Sequence, residues 1–169
     1  MHSRLVLIGQ APGPNTDPRL PLFPEPSTSA GGRLLEIMGV PRAEYLALTE
    51  RINLLNYYPG KWANGDRWPL AEARIAAEAV APLLAGRCVV LVGRNVAQAF
   101  DNKADYHVWT TQQVRRRCPI ARCPGLAEFA VVPHTSGRNR WYNDPENSQE
   151  ARSFWASALP GMRRLRLVS

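Results

Sequence analysis

Four short runs of β-rich apolar residues set the fold class of this chain: Leu5–Ile8, Ile52–Leu55, Cys88–Val92 and Phe129–Val132. Each is continuous rather than alternating, as expected for strands covered on both faces in a parallel sheet. Helical stretches separate them. Gly32–Met38 carries Leu34, Leu35 and Met38 and is stopped by Gly39, the residue type favoured just past a helix end. Leu70–Leu84 repeats apolar residues at helical spacing and ends at Gly86, Asn95–Phe100 follows the third run, and Glu146–Ala158 closes the chain with Phe154 and Trp155. This alternation predicts a three-layer α/β/α sandwich with a parallel sheet, and the sheet expected has four strands ordered 2-1-3-4. A length of 169 residues suits one domain spanning residues 1–169, long enough to bury a core.

Three loops stand out against that scaffold. Ala11–Ala30 is rich in proline, Asn56–Trp68 holds Tyr57, Tyr58, Trp62 and Trp68, and Pro133–Pro145 reads PHTSGRNRWYNDP. In a parallel sheet all three leave the carboxyl ends of their strands, the edge at which open α/β folds bind ligands. Gly9-Gln10-Ala11-Pro12-Gly13 opens the first loop. Its glycines permit positive φ and close approach of a ligand to the backbone, although an ordinary tight turn uses the same residues. His134, at a strand's carboxyl end, faces the cleft and is placed to donate a hydrogen bond to developing negative charge. A histidine capping a turn has the same appearance. Ser136, Arg138, Asn139 and Arg140 are phosphate donors by type, and Trp141 and Tyr142 can stack on bases; a solvated basic turn would read alike.

A net charge of +7, carried by arginine with Lys61 and Lys103 as the only lysines, favours a polyanionic partner, since the guanidinium fork matches phosphate. An Ala-, Gly-, Pro- and Arg-rich composition accounts for it equally well. Cys88, Cys118 and Cys123 are too few and too odd in number for a disulfide framework. Three thiols fall short of the four-ligand sites of structural zinc and iron–sulfur clusters, so no metal is expected. No apolar run approaches the roughly 20 residues of a membrane span. Met1–Arg4 leads into an apolar run too short for a signal peptide. A cytoplasmic monomer is the expectation.

Taken in order, these motifs resemble the uracil-DNA glycosylase superfamily over nearly the whole chain. The first loop is similar to that superfamily's first motif, written G-Q-D-P-Y, G-E-A-P-G or G-L-A-P-G in different branches, and the last to its H-P-S motif with Thr135 in place of proline. Ile52-Asn53-Leu54-Leu55 resembles the strand whose asparagine reads the uracil edge, and Leu91–Ala97 the third strand and its helix. The resemblance implies that Asn53 hydrogen-bonds a flipped base, that Phe23 stacks on it, and that the Gln10–Ala11 backbone contacts its oxygens. It implies that His134 stabilises the charge on the leaving base. Where one branch has a water-orienting aspartate this chain has Ala11, and Asp17 is the nearest carboxylate to take that catalytic role, although a residue that caps or turns the proline-rich loop would read alike. Gly13 replaces the tyrosine that excludes thymine's methyl group, and no N-terminal cysteine pair is present, so no iron–sulfur cluster and no other cofactor is inferred.

The function implied is a monofunctional DNA glycosylase acting on uracil or a related damaged or modified base, with a flipped nucleotide as its target. Two rivals stand beside it: a hydrolase of free nucleosides or nucleotides, and a DNA- or base-binding protein without chemistry, the latter favoured by Ala11.

Overall fold

The structure, a computed structural model, describes residues 4–63, 65–114, 125–137 and 139–159. Strand β1 (Leu5–Gly9) leads by the first loop to helices α1 (Ala30–Met38) and α2 (Arg42–Leu48) and to β2 (Thr49–Asn53). A small hairpin follows, β3 (Lys61–Trp62) with β4 (Gly65–Asp66). Then come α3 (Leu70–Val80), a 3-10 turn (Ala81–Leu84), β5 (Cys88–Val92), α4 (Arg94–Ala99), β6 (Thr110–Val114), β7 (Gly125–Val132) and α5 (Pro145–Ala158). The sheet order is β2-β1-β5-β7-β6, with β6 alone antiparallel.

The continuous apolar runs are explained by burial on both faces. Val6, Ile8, Val89, Leu91, Phe129 and Val131 point into one core with Ala73 and Ala77 of α3 and Val96 and Ala97 of α4. Their alternates, Leu5, Leu7, Val90, Val92, Ala130 and Val132, point into a second core with Leu34 of α1, Tyr45 of α2 and Phe154 and Trp155 of α5. A strand with one polar face would leave half of these positions in water.

Three expectations need correction. The sheet has five strands, not four: β6 is an edge strand whose residues Thr110 to Val114 alternate between half-exposed and exposed until Val114 is buried. Such a strand needs no apolar run. The second strand is Thr49–Asn53 rather than 52–55. Leu54 and Leu55 are buried just past it, and their N–H groups donate to the carbonyls of Gly9 (3.0 Å) and Gln10 (2.9 Å). The third helix becomes a 3-10 turn at Ala81, where Pro82 has no N–H to continue the ladder. Helix α2 and the β3–β4 hairpin carry no strong apolar period and were not expected. Among the described residues no helix is long and apolar enough to cross a membrane.

Leu91 lies fully buried in β5, between β1 and β7. Replacing it with alanine should lower the unfolding free energy by about 2–5 kcal/mol, read from the urea midpoint at unchanged m-value. A loss below about 1 kcal/mol would mean that this layer is not closely packed.

Candidate functional site

A cleft of about 390 Å³ opens at the carboxyl ends of β1, β2 and β7. Its walls come from the first loop (Gln10, Ala11, Asp17, Phe23), from Asn53 at the end of β2 with Tyr58, Asp66 and Trp68 beyond it, and from His134 and Ser136 after β7. Six residues proposed from sequence for catalysis or base binding, Gln10, Ala11, Asp17, Phe23, Asn53 and His134, therefore share one cavity.

Asn53 is positioned by the backbone beside it. A Cβ on Gly9 would lie 2.4 Å from the Asn53 Oδ1 atom, so only glycine lets the amide lie against the end of β1. Phe23 is presented by a loop held from behind. Tyr45 of α2 donates through its hydroxyl to the Leu22 carbonyl at 2.7 Å, although Leu22 has φ +48°, a conformation that costs an ordinary residue about 1 kcal/mol. The N-terminus of α1 presses against the same loop, and a Cβ on Gly31 would meet the Phe23 carbonyl oxygen at 2.2 Å. Burial of Tyr45 pushes its phenol well above the usual range, so it remains a donor at any ordinary pH.

His134 is locked by its own loop. The Ser136 N–H donates to its Nδ1 at 3.1 Å, which leaves the hydrogen of the neutral ring on Nε2. Burial lowers its pKa, and the negative charge of Asp66 opposes that to a smaller degree. Asn139 donates to the His134 carbonyl at 2.8 Å, Tyr142 to that of Pro133 at 2.8 Å, and the buried Thr135 hydroxyl to Ala30 at 2.8 Å. Thr135 thus ties this loop to α1. Gly93, with φ +104°, leaves room for the ring, since a Cβ there would sit 3.1 Å from that of His134.

The carboxylates differ in their freedom. Asp17 lines the cleft, but both its oxygens accept from the Arg19 guanidinium, at 3.0 and 2.8 Å. Those bonds hold its carboxyl down at about 2. Asp66, not anticipated from sequence, accepts from the Tyr58 hydroxyl at 3.1 Å and is the carboxylate whose charge reaches His134. It sits on β4, one of two strands of two residues each, too short for any hydrophobic pattern. The one available signal was an acid within an aromatic loop following a strand. Trp68, also in the wall, has a buried Nε1 with no hydrogen-bond partner among the described residues.

The residues proposed for nucleic-acid contact separate. Ser136 lines the cleft. Asn139 uses its amide inside the loop, donating to His134 and accepting from the Trp141 N–H at 3.1 Å. Trp141 packs edge-on against Tyr106 and Tyr142, at centroid distances of 5.9 and 5.0 Å, and Arg140 is exposed. Arg138 lies outside the described residues, as do Cys118 and Cys123. Among the described residues no three His, Cys, Asp or Glu side chains are grouped to hold a metal.

Comparison with protein-family models finds no match, and comparison with curated proteins finds no significant relative.

The burial of His134 should be readable directly. Long-range ¹⁵N NMR should show a neutral ring protonated at Nε2 at pH 7, titrating below the usual value of about 6.5. The sign follows from linkage: the unfolded chain takes up this proton first, so the contribution of His134 to stability is full above about pH 6.5 and is lost as pH falls toward its folded pKa. A titration above 6.5 would show that Asp66 outweighs burial.

Proposed function

We propose that the cleft receives a base flipped from DNA and that the protein hydrolyses the N-glycosidic bond of uracil or a related damaged or modified base. The observation that carries this reading is the meeting of an aromatic ring (Phe23), a side-chain amide (Asn53) and a half-buried histidine (His134), whose desolvation favours the neutral ring, in one 390 Å³ cleft. An amide offers donor and acceptor together, as the edge of a pyrimidine does. The rim adds Arg67, with exposed Lys61 and Trp62 on the neighbouring hairpin. These are side chains suited to phosphate and base surfaces.

The chemistry follows from these placements. The bond between C1′ and the base nitrogen breaks, its electron pair leaves with the base, and the sugar becomes oxocarbenium-like. The Nε2–H of His134 donates to the oxygen on which that negative charge gathers. A neutral imidazole suits this because it needs no prior protonation. A water adds at C1′ and gives up its proton. Asp66 is the better acceptor for that proton, since Asp17 has both oxygens bound by Arg19. The replacement of the motif aspartate by Ala11 favours the rival reading, a protein that holds the base without cleaving it.

A panel of oligonucleotides, each with one altered base, scored for alkali-labile abasic sites separates the two readings. With a cleaved substrate in hand, His134→Ala should lower the single-turnover rate about 10²–10³-fold at nearly unchanged affinity for an uncleavable analogue. Asn53→Ala should reduce discrimination between bases together with rate. Asp66→Asn should cost more than about tenfold and Asp17→Asn less; the reverse order would return the water-orienting role to Asp17. Tight binding of the analogue with no cleavage of any panel member would establish the binding protein.

A further inference from the structure

A second cavity, of about 260 Å³, lies between α1, α5 and the loop after β7. It shares Ser136 with the main cleft and is otherwise lined by different residues, among them Arg33, Arg152, Thr135 and Asn143. Its charge is unbalanced, with two guanidiniums set against the single carboxylate of Glu36. Among the described residues neither arginine is in an ion pair. Arg33 is half-buried, and its Nε is buried with no hydrogen-bond partner among the described residues.

A guanidinium nitrogen buried without an acceptor is costly, and the local backbone packs closely against this side chain. A Cβ on Gly137 would lie 2.7 Å from an Arg33 terminal nitrogen and 2.9 Å from its Cζ. Glycine at that place thus admits the side chain against the loop. The neighbouring hydroxyls are committed elsewhere, Thr135 to the Ala30 carbonyl and Ser148 to the Tyr142 carbonyl. They brace the walls and leave the guanidiniums, Ser136 and the Asn143 amide to face a ligand. Donors without acceptors, positive charge and a polar floor match a phosphoryl group.

We propose that this second cavity binds a phosphoryl group attached to the nucleoside whose base occupies the main cleft, with Arg33 and Arg152 as its cationic ligands and Ser136 as the bridge between the two sites. The inference rests on the base-binding reading of the main cleft. Two sources share this chemistry: a phosphodiester of a DNA strand and the terminal phosphate of a free nucleotide.

The test uses the whole protein at fixed salt and a fluorescent oligonucleotide holding an uncleavable 2′-fluoro-deoxyuridine, in which each linkage in turn is replaced by a neutral methylphosphonate. Arg33→Gln and Arg152→Gln should each weaken binding of the all-phosphate strand about tenfold. One methylphosphonate near the uracil should weaken wild type to a similar extent and add nothing in the double variant. Arg152 is exposed, so its substitution tests the site even if the packed Arg33 position disturbs folding. In a parallel arm, deoxyuridine 5′-monophosphate outcompeting deoxyuridine by an arginine-dependent factor, with every linkage silent, would identify the free nucleotide as the source. Equal losses in wild type and double variant at every linkage, with no advantage for the monophosphate, would overturn the phosphoryl site. Retained coupling between linkage and arginines without preference for uracil over an ordinary base would instead sink the base-binding reading and leave the phosphoryl site standing.

Discussion

The missing side chain at Gly9 is the constraint on which the cleft depends. Strands β1 and β2 run in register from Leu5 and Thr49 to Gly9 and Asn53, and the backbone pairing continues one step past each strand through the N–H groups of Leu54 and Leu55. That continuation brings the Asn53 amide oxygen to where any Cβ on residue 9 would stand, 2.4 Å away. The first loop must then leave the sheet away from Asn53. It is caught by the Tyr45 hydroxyl and by α1, whose Gly31 and Gly32 accept backbone contact that no side chain would allow. The space between the amide and the held loop is the cleft.

The electrostatics of that space are asymmetric. Asp17 and Glu25 line it but are joined to Arg19 and Arg42, exposed pairs of little energetic weight that nonetheless occupy their oxygens. Asp66 keeps a lighter tether, a phenol, and lines the same cleft as a histidine whose surroundings favour the neutral form.

Much of this was legible in the sequence where burial is two-sided. Leu5–Ile8, Cys88–Val92 and 129–132 are apolar at every position because both cores need them, and they lie within β1, β5 and β7. Elements with one exposed side were not legible. Strand β6 reads TTQQV, and β2 reads TERIN with only its first residue buried. The apolar pair Leu54–Leu55 drew the expected strand three residues too far along the chain at its start. Candidate residues at or just past the carboxyl end of a strand, such as Gln10, Asn53 and His134, come together because parallel topology brings those ends to one edge. Residues placed by tertiary contact were not legible: Asp66 arrives on a hairpin with no period of its own, and Asn139 turns its amide inward to brace the histidine loop.

The most direct test is NMR on protein labelled at asparagine and histidine side chains, titrated with a short oligonucleotide holding one uncleavable 2′-fluoro-deoxyuridine. If the cleft receives a flipped base, the Asn53 side-chain amide and the His134 Nε2–H resonances should shift together and saturate at the same ligand concentration, with the Gln10 and Ala11 backbone amides following. The same strand carrying an ordinary cytosine should leave them in place. Saturable binding that moves neither Asn53 nor His134, or moves them equally with cytosine, would contradict the account.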